Sequence, residues 1–344
     1  MDMDITALLK ELTEVAGLSG FESDIAEYTA SMLKAFCENV NITKSRSVVA
    51  DINAKDNNKK TLMIEAHLDR IGLMVSEFCE NGFVRVKALG GVDERILPGS
   101  ECFILGKKPV YGVIGAVPPH LLKKDDKKAV KMSDIIVDTG LGDDCQKLFS
   151  VGDPILLKSD FCILADEKVS SAAIDNRAGM AAVMLMLEKL RGKELPVNLK
   201  IVFASGEELG LLGARTLSMD ECPDLAVVVD VTHGQTHDSK AEGTFALGAG
   251  VEICRGPNLH NSATNKIIGI AKDKNIPFEI EVASGNTGTN AWVLQTMEKG
   301  IACALLSIPI RYMHTTVETV DVRDIETTAQ LLAEVVLNGG ELLG

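Results

Sequence analysis

Apolar residues open the chain at the spacing of an amphipathic helix. Ile5, Leu8, Leu9, Leu12 and Val15 fall on one face, and Gly17 ends the pattern. Ile25, Tyr28, Met32, Leu33 and Phe36 repeat it and predict a second helix. The period then changes. Thr61-Leu62-Met63-Ile64-Glu65-Ala66 is a short apolar run of strand length, and it delivers His67 and Asp69 at its C-terminal end. From residue 70 to residue 164, strand-like runs alternate with Gly-rich turns: Ile71–Phe78, Phe83–Leu89, Glu101–Leu105, Tyr111–Val117, Ile135–Asp138 and Pro154–Lys158. One short helical stretch interrupts them near Asp144–Leu148. This pattern predicts a small β-barrel or sandwich. Lys123–Lys131, dense in Lys and Asp, reads as a solvated mobile loop.

After Ala172 the pattern becomes β and α in alternation. Helices are predicted at Ala178–Leu190, Leu209–Leu217, Ser262–Lys274, Ala291–Met297 and Val322–Leu337. Strands are predicted at Val197–Ala204, Leu225–Asp230, Phe278–Val282 and Ile301–Ile308. Buried strands alternating with helices imply a mixed, mostly parallel sheet covered by helices. The two N-terminal helices and the strand at 61–66 have to join that same sheet. The reading is an α/β domain split over residues 1–69 and 165–344, with an inserted β-barrel domain at 70–164 that carries none of the predicted chemistry.

Composition narrows this further. The 344 residues are 46% hydrophobic and 24% charged, which is ordinary globular usage. With 35 Lys and Arg against 49 Asp and Glu the formal net charge is −14, a surface that repels phosphate backbones and argues against nucleic-acid binding. No apolar run approaches a membrane span, and the N-terminus has no basic and apolar export signal. The eight cysteines form no Cys-x-x-Cys pair, so they are expected to be free buried thiols in a cytoplasmic protein.

In open α/β sheets ligands bind beyond the carboxyl ends of the strands. His67, Asp69, Glu207, Glu208, Asp230 and His314 all follow or end predicted strands, and Asp175 stands in the turn before a helix. So many ionisable groups on one rim would repel or desolvate badly without cations. Two divalent ions resolve this, and a set of carboxylates with His suits Zn²⁺, Co²⁺ or Mn²⁺. A water between two such ions is deprotonated near neutral pH, and an adjacent carboxylate can take its proton and return it to a leaving amine.

His67-Leu68-Asp69, Ala173-Ile174-Asp175-Asn176-Arg177, Gly206-Glu207-Glu208-Leu209-Gly210, Val229-Asp230-Val231-Thr232 and Arg311-Tyr312-Met313-His314-Thr315 resemble, in order, the motif series of the M42 metallo-aminopeptidases. Gly17-Leu18-Ser19-Gly20-Phe21-Glu22 extends the resemblance toward the start of the chain. It implies that Asp175 bridges two metal ions, that His67 and Asp230 complete one site, and that Glu208 and His314 complete the other. It further implies that Glu207 is the general base, that Asp69 holds the His67 imidazole, and that the Asp175–Asn176 peptide bond is cis. The implied substrates are short peptides with a free N-terminus. The implied role of the insertion is dimerisation, with dimers able to build a tetrahedral shell of twelve subunits. Two positions depart from the pattern: Arg70 stands where the family is usually acidic, and Asn290 stands where an Asp is expected. A deacylase or carboxypeptidase of the same clan, and a binding protein with a vestigial site, are the competing readings.

Overall fold

The computed structural model describes residues 3–54, 60–121, 130–217, 222–240, 242–297 and 300–344. Most of the lysine-dense loop therefore lies outside the described residues. Helix α1 (Ile5–Glu14) is capped by Asp4, whose carboxylate accepts the amides of Thr6 and Ala7, and it buries Ile5, Leu8, Leu9 and Leu12. Helix α2 (Ser23–Leu33) follows. A hairpin, β1 (Asn39–Ile42) and β2 (Val48–Ile52), leads into β3 (Thr61–His67), which is buried from Leu62 onward. The hairpin was not among the predicted strands, because its alternating polar residues and short length resemble a surface loop.

The chain then leaves the sheet for a closed barrel of β4 (Gly72–Phe78), β5 (Val84–Leu89), β6 (Glu101–Leu105), β7 (Pro109–Ile114), β8 (Ile136–Asp138) and β9 (Pro154–Leu157), ordered β4-β5-β8-β7-β6-β9. Alternate side chains such as Val110, Ile114 and Val137 fill its interior, and closure leaves its strands without a free edge. The short helix expected near Asp144–Leu148 is a 3₁₀ segment, Gly142–Lys147. The sheet resumes with β10 (Cys162–Ile163) and β11 (Lys168–Ser171), which pair with each other.

Helix α3 (Ile174–Leu190) is buried on nearly every side, between the sheet, α1 and α7 (Val322–Leu337). Between them run β12 (Asn198–Ala204), α4 (Leu212–Leu217), β13 (Leu225–His233), β14 (Val251–Arg255), α5 (Asn261–Asp273), β15 (Phe278–Val282), α6 (Ala291–Leu294), β16 (Cys303–Arg311) and β17 (Glu318–Asp321). Helix α8 (Gly339–Leu342) closes the chain's described fold. The large sheet has the order β1-β2-β12-β3-β13-β16-β17-β11-β10, with β14 on β16 and β15 on β14. Its centre, β12-β3-β13-β16, is parallel, and antiparallel strands flank it. The mixed sheet covered by helices is thus observed, together with the β-barrel; the centre of the sheet and the β14–β15 pair are parallel, while its other pairings among the described residues are antiparallel.

Parallel pairing has one consequence for chemistry. It carries the C-terminal ends of β12, β3 and β16 to the same edge, with His67 level with Ala204 and Asp230 level with Ser307. Asp230 does not end its strand as expected. β13 continues to His233, because Val231 and Thr232 are themselves buried and still pair with β16. Burial likewise does not extend to every cysteine: Cys162 and Cys222 are exposed and Cys79 is half-buried. Among the described residues no helix is long and apolar enough to cross a membrane.

Candidate metal centre

The rim gathers two clusters that share one residue. His67, Asp175 and Asp230 form the first, and Asp175, Glu208 and His314 the second; in each, one ligand atom per residue lies within 4.8 Å of the others. In the inner cluster His67 Nε2 is 3.0 Å from Asp175 Oδ1 and 3.6 Å from Asp230 Oδ1. In the outer cluster His314 Nε2 is 3.3 Å from Asp175 Oδ2 and 3.2 Å from Glu208 Oε1. Asp175 therefore turns one oxygen to each side.

The tautomer of each imidazole follows from its other nitrogen. His67 Nδ1 lies 3.1 Å from the carbonyl of Asp69, and His314 Nδ1 lies 3.0 Å from the carbonyl of Gly91. A carbonyl only accepts, so each Nδ1 carries a proton and each Nε2 is the nitrogen turned to the carboxylates, donating to them while it is protonated and able to hold a metal ion when it is not. Gly91 follows the barrel strand β5. A Cβ there would fall 2.7 Å from His314 Nδ1, so only glycine lets the barrel's backbone come this close. The expectation that residues 70–164 carry none of the chemistry needs this correction: the barrel segment orients one imidazole of the site.

Asp69 also does more than the sequence suggested. Its backbone carbonyl takes the His67 Nδ1 proton, while its carboxylate, 3.5 Å from that nitrogen, accepts the amides of Glu207 at 2.9 Å and Glu208 at 3.1 Å and the hydroxyl of Ser19. The side chain thus pins the turn after β12 that carries both glutamates. Glu318 plays the matching part on the other side, accepting the amide of Asp175 at 3.0 Å and that of His314 at 2.7 Å. His314 and Ala173 both sit at positive φ, at 62° and 63°, an unfavourable backbone region for residues with a Cβ. The Glu318 bonds hold the two segments there. Glu318 was missed in the sequence; its spacing of four after His314 was the available signal. Asn176 was quoted there without a role. It donates to the Val229 carbonyl and accepts from Gly179, and the Asp175–Asn176 bond is cis, as the resemblance implies.

Charge is the dominant feature of the rim. Burial pushes the Glu207 carboxyl up to about 9, with Asp230, Glu208 and Asp175 adding repulsion against the opposing effect of His67. Burial also raises Glu208 and Asp230. Asp175 goes the other way: burial opposes its charge, but the bonds from His314 and His67 outweigh it and hold it well below the usual carboxylate range. For His67 burial disfavours the cation, yet Asp175, Asp230 and Asp69 raise it well above the usual imidazole value. Asp175 and Glu208 push His314 up to about 11. The cluster draws positive charge to the positions between the Nε2 atoms and the carboxylate oxygens. Two His and three carboxylates, one of them the shared Asp175, are a donor set that divalent ions fit.

The other four histidines fall elsewhere. His260 caps α5, its Nδ1 accepting the Ala263 amide. His233 is exposed at the end of β13, His237 is exposed beside Asp238, and His120 lies in a 3₁₀ turn. Asn290 donates at 2.7 Å to Glu65, a fully enclosed carboxyl on β3 that burial pushes up to about 8. An amide donor at 290 serves that carboxyl where a second carboxylate would repel it.

The family model described as M42 glutamyl aminopeptidase matches residues 47–331. The chain is 33% identical to a lysyl aminopeptidase of Pyrococcus furiosus over 94% of each chain. Among solved structures it is similar to a TET aminopeptidase from a marine-sediment Thaumarchaeota archaeon, with 27% identity, a TM-score of 0.92 and 98% of each chain covered. It is also similar to a Pyrococcus horikoshii TET peptidase described as assembling into a tetrahedron or a large octahedral shell, with 27% identity and a TM-score of 0.85 over 97% of this chain and 99% of that one.

Proposed function

The chain belongs to the M42 family of metal-dependent aminopeptidases, and we propose that its reaction is carried by the seven residues of the rim. Asp175 would hold two divalent ions, with His67 and Asp230 completing the inner position and Glu208 and His314 the outer. Zn²⁺ and Co²⁺ suit these donors best, and Mn²⁺ is compatible. The observation that carries the reading is the division of Asp175 itself, one oxygen 3.0 Å from His67 Nε2 and the other 3.3 Å from His314 Nε2.

Bound ions supply Lewis acidity, which lowers the pKa of a water and polarises the scissile carbonyl. Glu207 holds the proton. Its carboxyl is near enough to both clusters to feel His67, Asp230, Glu208 and Asp175, and burial raises it so that it holds a proton more readily than an ordinary carboxylate. Asp69 fixes its place by accepting the Glu207 amide, and the His67 and His314 carbonyl contacts keep both Nε2 atoms aimed inward. The acidic rim attracts the α-ammonium of a short peptide, which makes cleavage start from the N-terminus.

The same reading divides the chain into a catalytic unit at 1–69 and 165–344 and a dimerisation insertion at 70–164. It extends to self-association as a dimer, or as a tetrahedral shell of twelve subunits, a tetrahedron being one of the forms named for the Pyrococcus horikoshii relative. It places the protein in the cytoplasm, in keeping with Cys37, Cys102, Cys145, Cys254 and Cys303 as buried thiols. The test is a panel of aminoacyl-p-nitroanilides with Co²⁺, Zn²⁺ and Mn²⁺ added separately, run beside N-acetylated peptides. Hydrolysis of free amines alone, with metal content near two ions per chain, is expected. Equal cleavage of acetylated peptides would favour a deacylase, and content that never exceeds one ion would remove the paired site. Light scattering reads the assembly: a mass of one chain would refute it.

A further inference from the structure

The turn after β12 offers its amides in a row, and Asp69 takes those of Glu207 and Glu208. The amide just before them, that of Gly206, donates to Glu22 Oε1 at 3.1 Å. The same oxygen accepts the Gly20 amide at 2.7 Å, and Glu22 is 3% exposed. Buried N–H groups have to be paired. Here two carboxylates from other parts of the chain pair three successive ones. The carbonyls of this turn are taken up within it: Ser205 accepts from Gly213, Gly206 from Leu212, and Glu207 from Gly210 and Leu211. The backbone at Glu207 is therefore held by its own turn through the carbonyls, and by Glu22 and Asp69 through the amides.

Glu22 is not placed there for the sake of its own helix. It stands directly before α2, where an acidic side chain favours the first amides of the helix, yet it makes no capping bond to them. Burial pushes its carboxyl above the usual value; the Gly20 amide opposes this, and the charge of Asp69 adds to it. The segment reaches the rim by pairing with the residues after β3. The Ser19 amide donates to the Arg70 carbonyl at 3.1 Å, the Arg70 amide to the Gly17 carbonyl at 3.0 Å, and the Ser19 hydroxyl to the Asp69 carboxylate. The motif Gly17–Glu22 thus sets a second carboxylate beside Asp69 and turns it to the amide that Asp69 leaves over.

We propose that Glu22 is a positioning residue for Glu207: by taking the Gly206 amide, it fixes the backbone from which the Glu207 side chain extends. The proposal rests on the reading of Glu207 as the proton carrier and adds to it a residue outside the metal donor set.

The test compares E22A, E22Q, E207Q and the double variant E22A/E207Q as full-length, metal-loaded protein, with kcat, KM and ion content measured for each on one aminoacyl-p-nitroanilide. E22A leaves the Gly206 amide unmet, and kcat is expected to fall about 10–100-fold with KM and both ions retained. E22Q keeps an oxygen that accepts both amides, and kcat is expected to return to within about threefold of the unmodified protein. Because Glu22 acts through Glu207, E22A should cost no more than about a further twofold in the E207Q background. E22M, of similar length but without a comparable acceptor, replaces E22A in both backgrounds if E22A does not fold. An unchanged kcat in E22A, an E22Q no better than E22A, the same fold-loss in both backgrounds, or loss of an ion in E22A would overturn the assignment. Near-full kcat in E207Q would remove the proton role of Glu207 and this proposal with it, whereas a low kcat in E207Q beside an unaffected E22A overturns the role of Glu22 alone.

Discussion

The two halves of the metal centre use the same chemistry on different supports. The inner half is built on strands. His67 ends β3 and Asp230 lies within β13, both in the parallel core, and the His67 side chain is 2% exposed. The outer half is built on turns. Glu208 follows β12 and His314 follows β16, and the His314 side chain is 31% exposed. Strand ligands are fixed by the hydrogen bonds and packing that hold the sheet. Turn ligands need separate fastenings, and the structure supplies them: Asp69 on the Glu208 amide, Glu318 on the His314 amide, and the barrel's Gly91 carbonyl on the imidazole. If both positions hold an ion, equal donors on unequal supports should retain it unequally, with the outer position the more exchangeable.

The comparison collapses if its shared member is removed. Asp175→Asn should empty both halves together and lower kcat/KM by on the order of 10³-fold or more. Retention of one ion per chain would show that the halves do not depend on a common bridge. Glu207→Gln tests the group outside both halves: both ions and KM should persist while kcat falls by about 10²–10⁴-fold. Loss of an ion in that variant would mean that Glu207 and Glu208 exchange roles.

Smaller effects sharpen the inequality. On timed chelation of the unmodified protein, metal content should fall first to one ion per chain, and His314→Ala should hold one ion from the start. A single-step loss of both would deny any difference between strand and turn supports. Gly91→Ala displaces the carbonyl that orients His314, and a loss of about 10–100-fold in affinity for the outer ion alone is expected, read by metal titration. An equal loss at both positions would place the effect on the whole rim.

The smallest effect comes from a carboxyl buried without imidazole partners, which separates burial from ligation. Glu252 on β14 is fully enclosed, neither of its oxygens has a hydrogen-bond partner among the described residues, and burial followed by the charges of Glu279, Glu281 and Asp324 pushes it up to about 9. The folded chain therefore keeps a proton there that the unfolded chain releases above its ordinary value of 4.5. Stability from this group is present at acid pH and falls as pH rises from that value through about 9. Thermal midpoints of Glu252→Gln should decline less over that range than those of the unmodified chain, with peptidase activity unchanged at neutral pH; parallel curves would contradict it.

How much of this was legible beforehand depended on the length of the signal. The sequence pattern predicts α7 with the ends it has because its apolar stripe runs over four turns, and β6 and β15 because turn residues flank them. β14 and β17 were missed. β17 is only four residues, Glu318–Asp321, and its buried Glu318, Thr319 and Asp321 look like surface residues until their partners are known. Glu318 was lost with that strand.

Residue order alone set the candidate donors, the place of most of them at or just beyond strand ends and the alternation that makes the centre of the sheet parallel, because hydrophobic periodicity is local and a parallel core sends its strand ends to one rim. Tertiary structure decided the rest. That a glycine of the barrel orients a histidine more than 200 residues away and that Glu318 ties together Asp175 and His314 are facts about backbones brought close by folding. Such contacts leave no periodic trace, since a hydrogen bond depends on the position of one atom rather than on the character of a face.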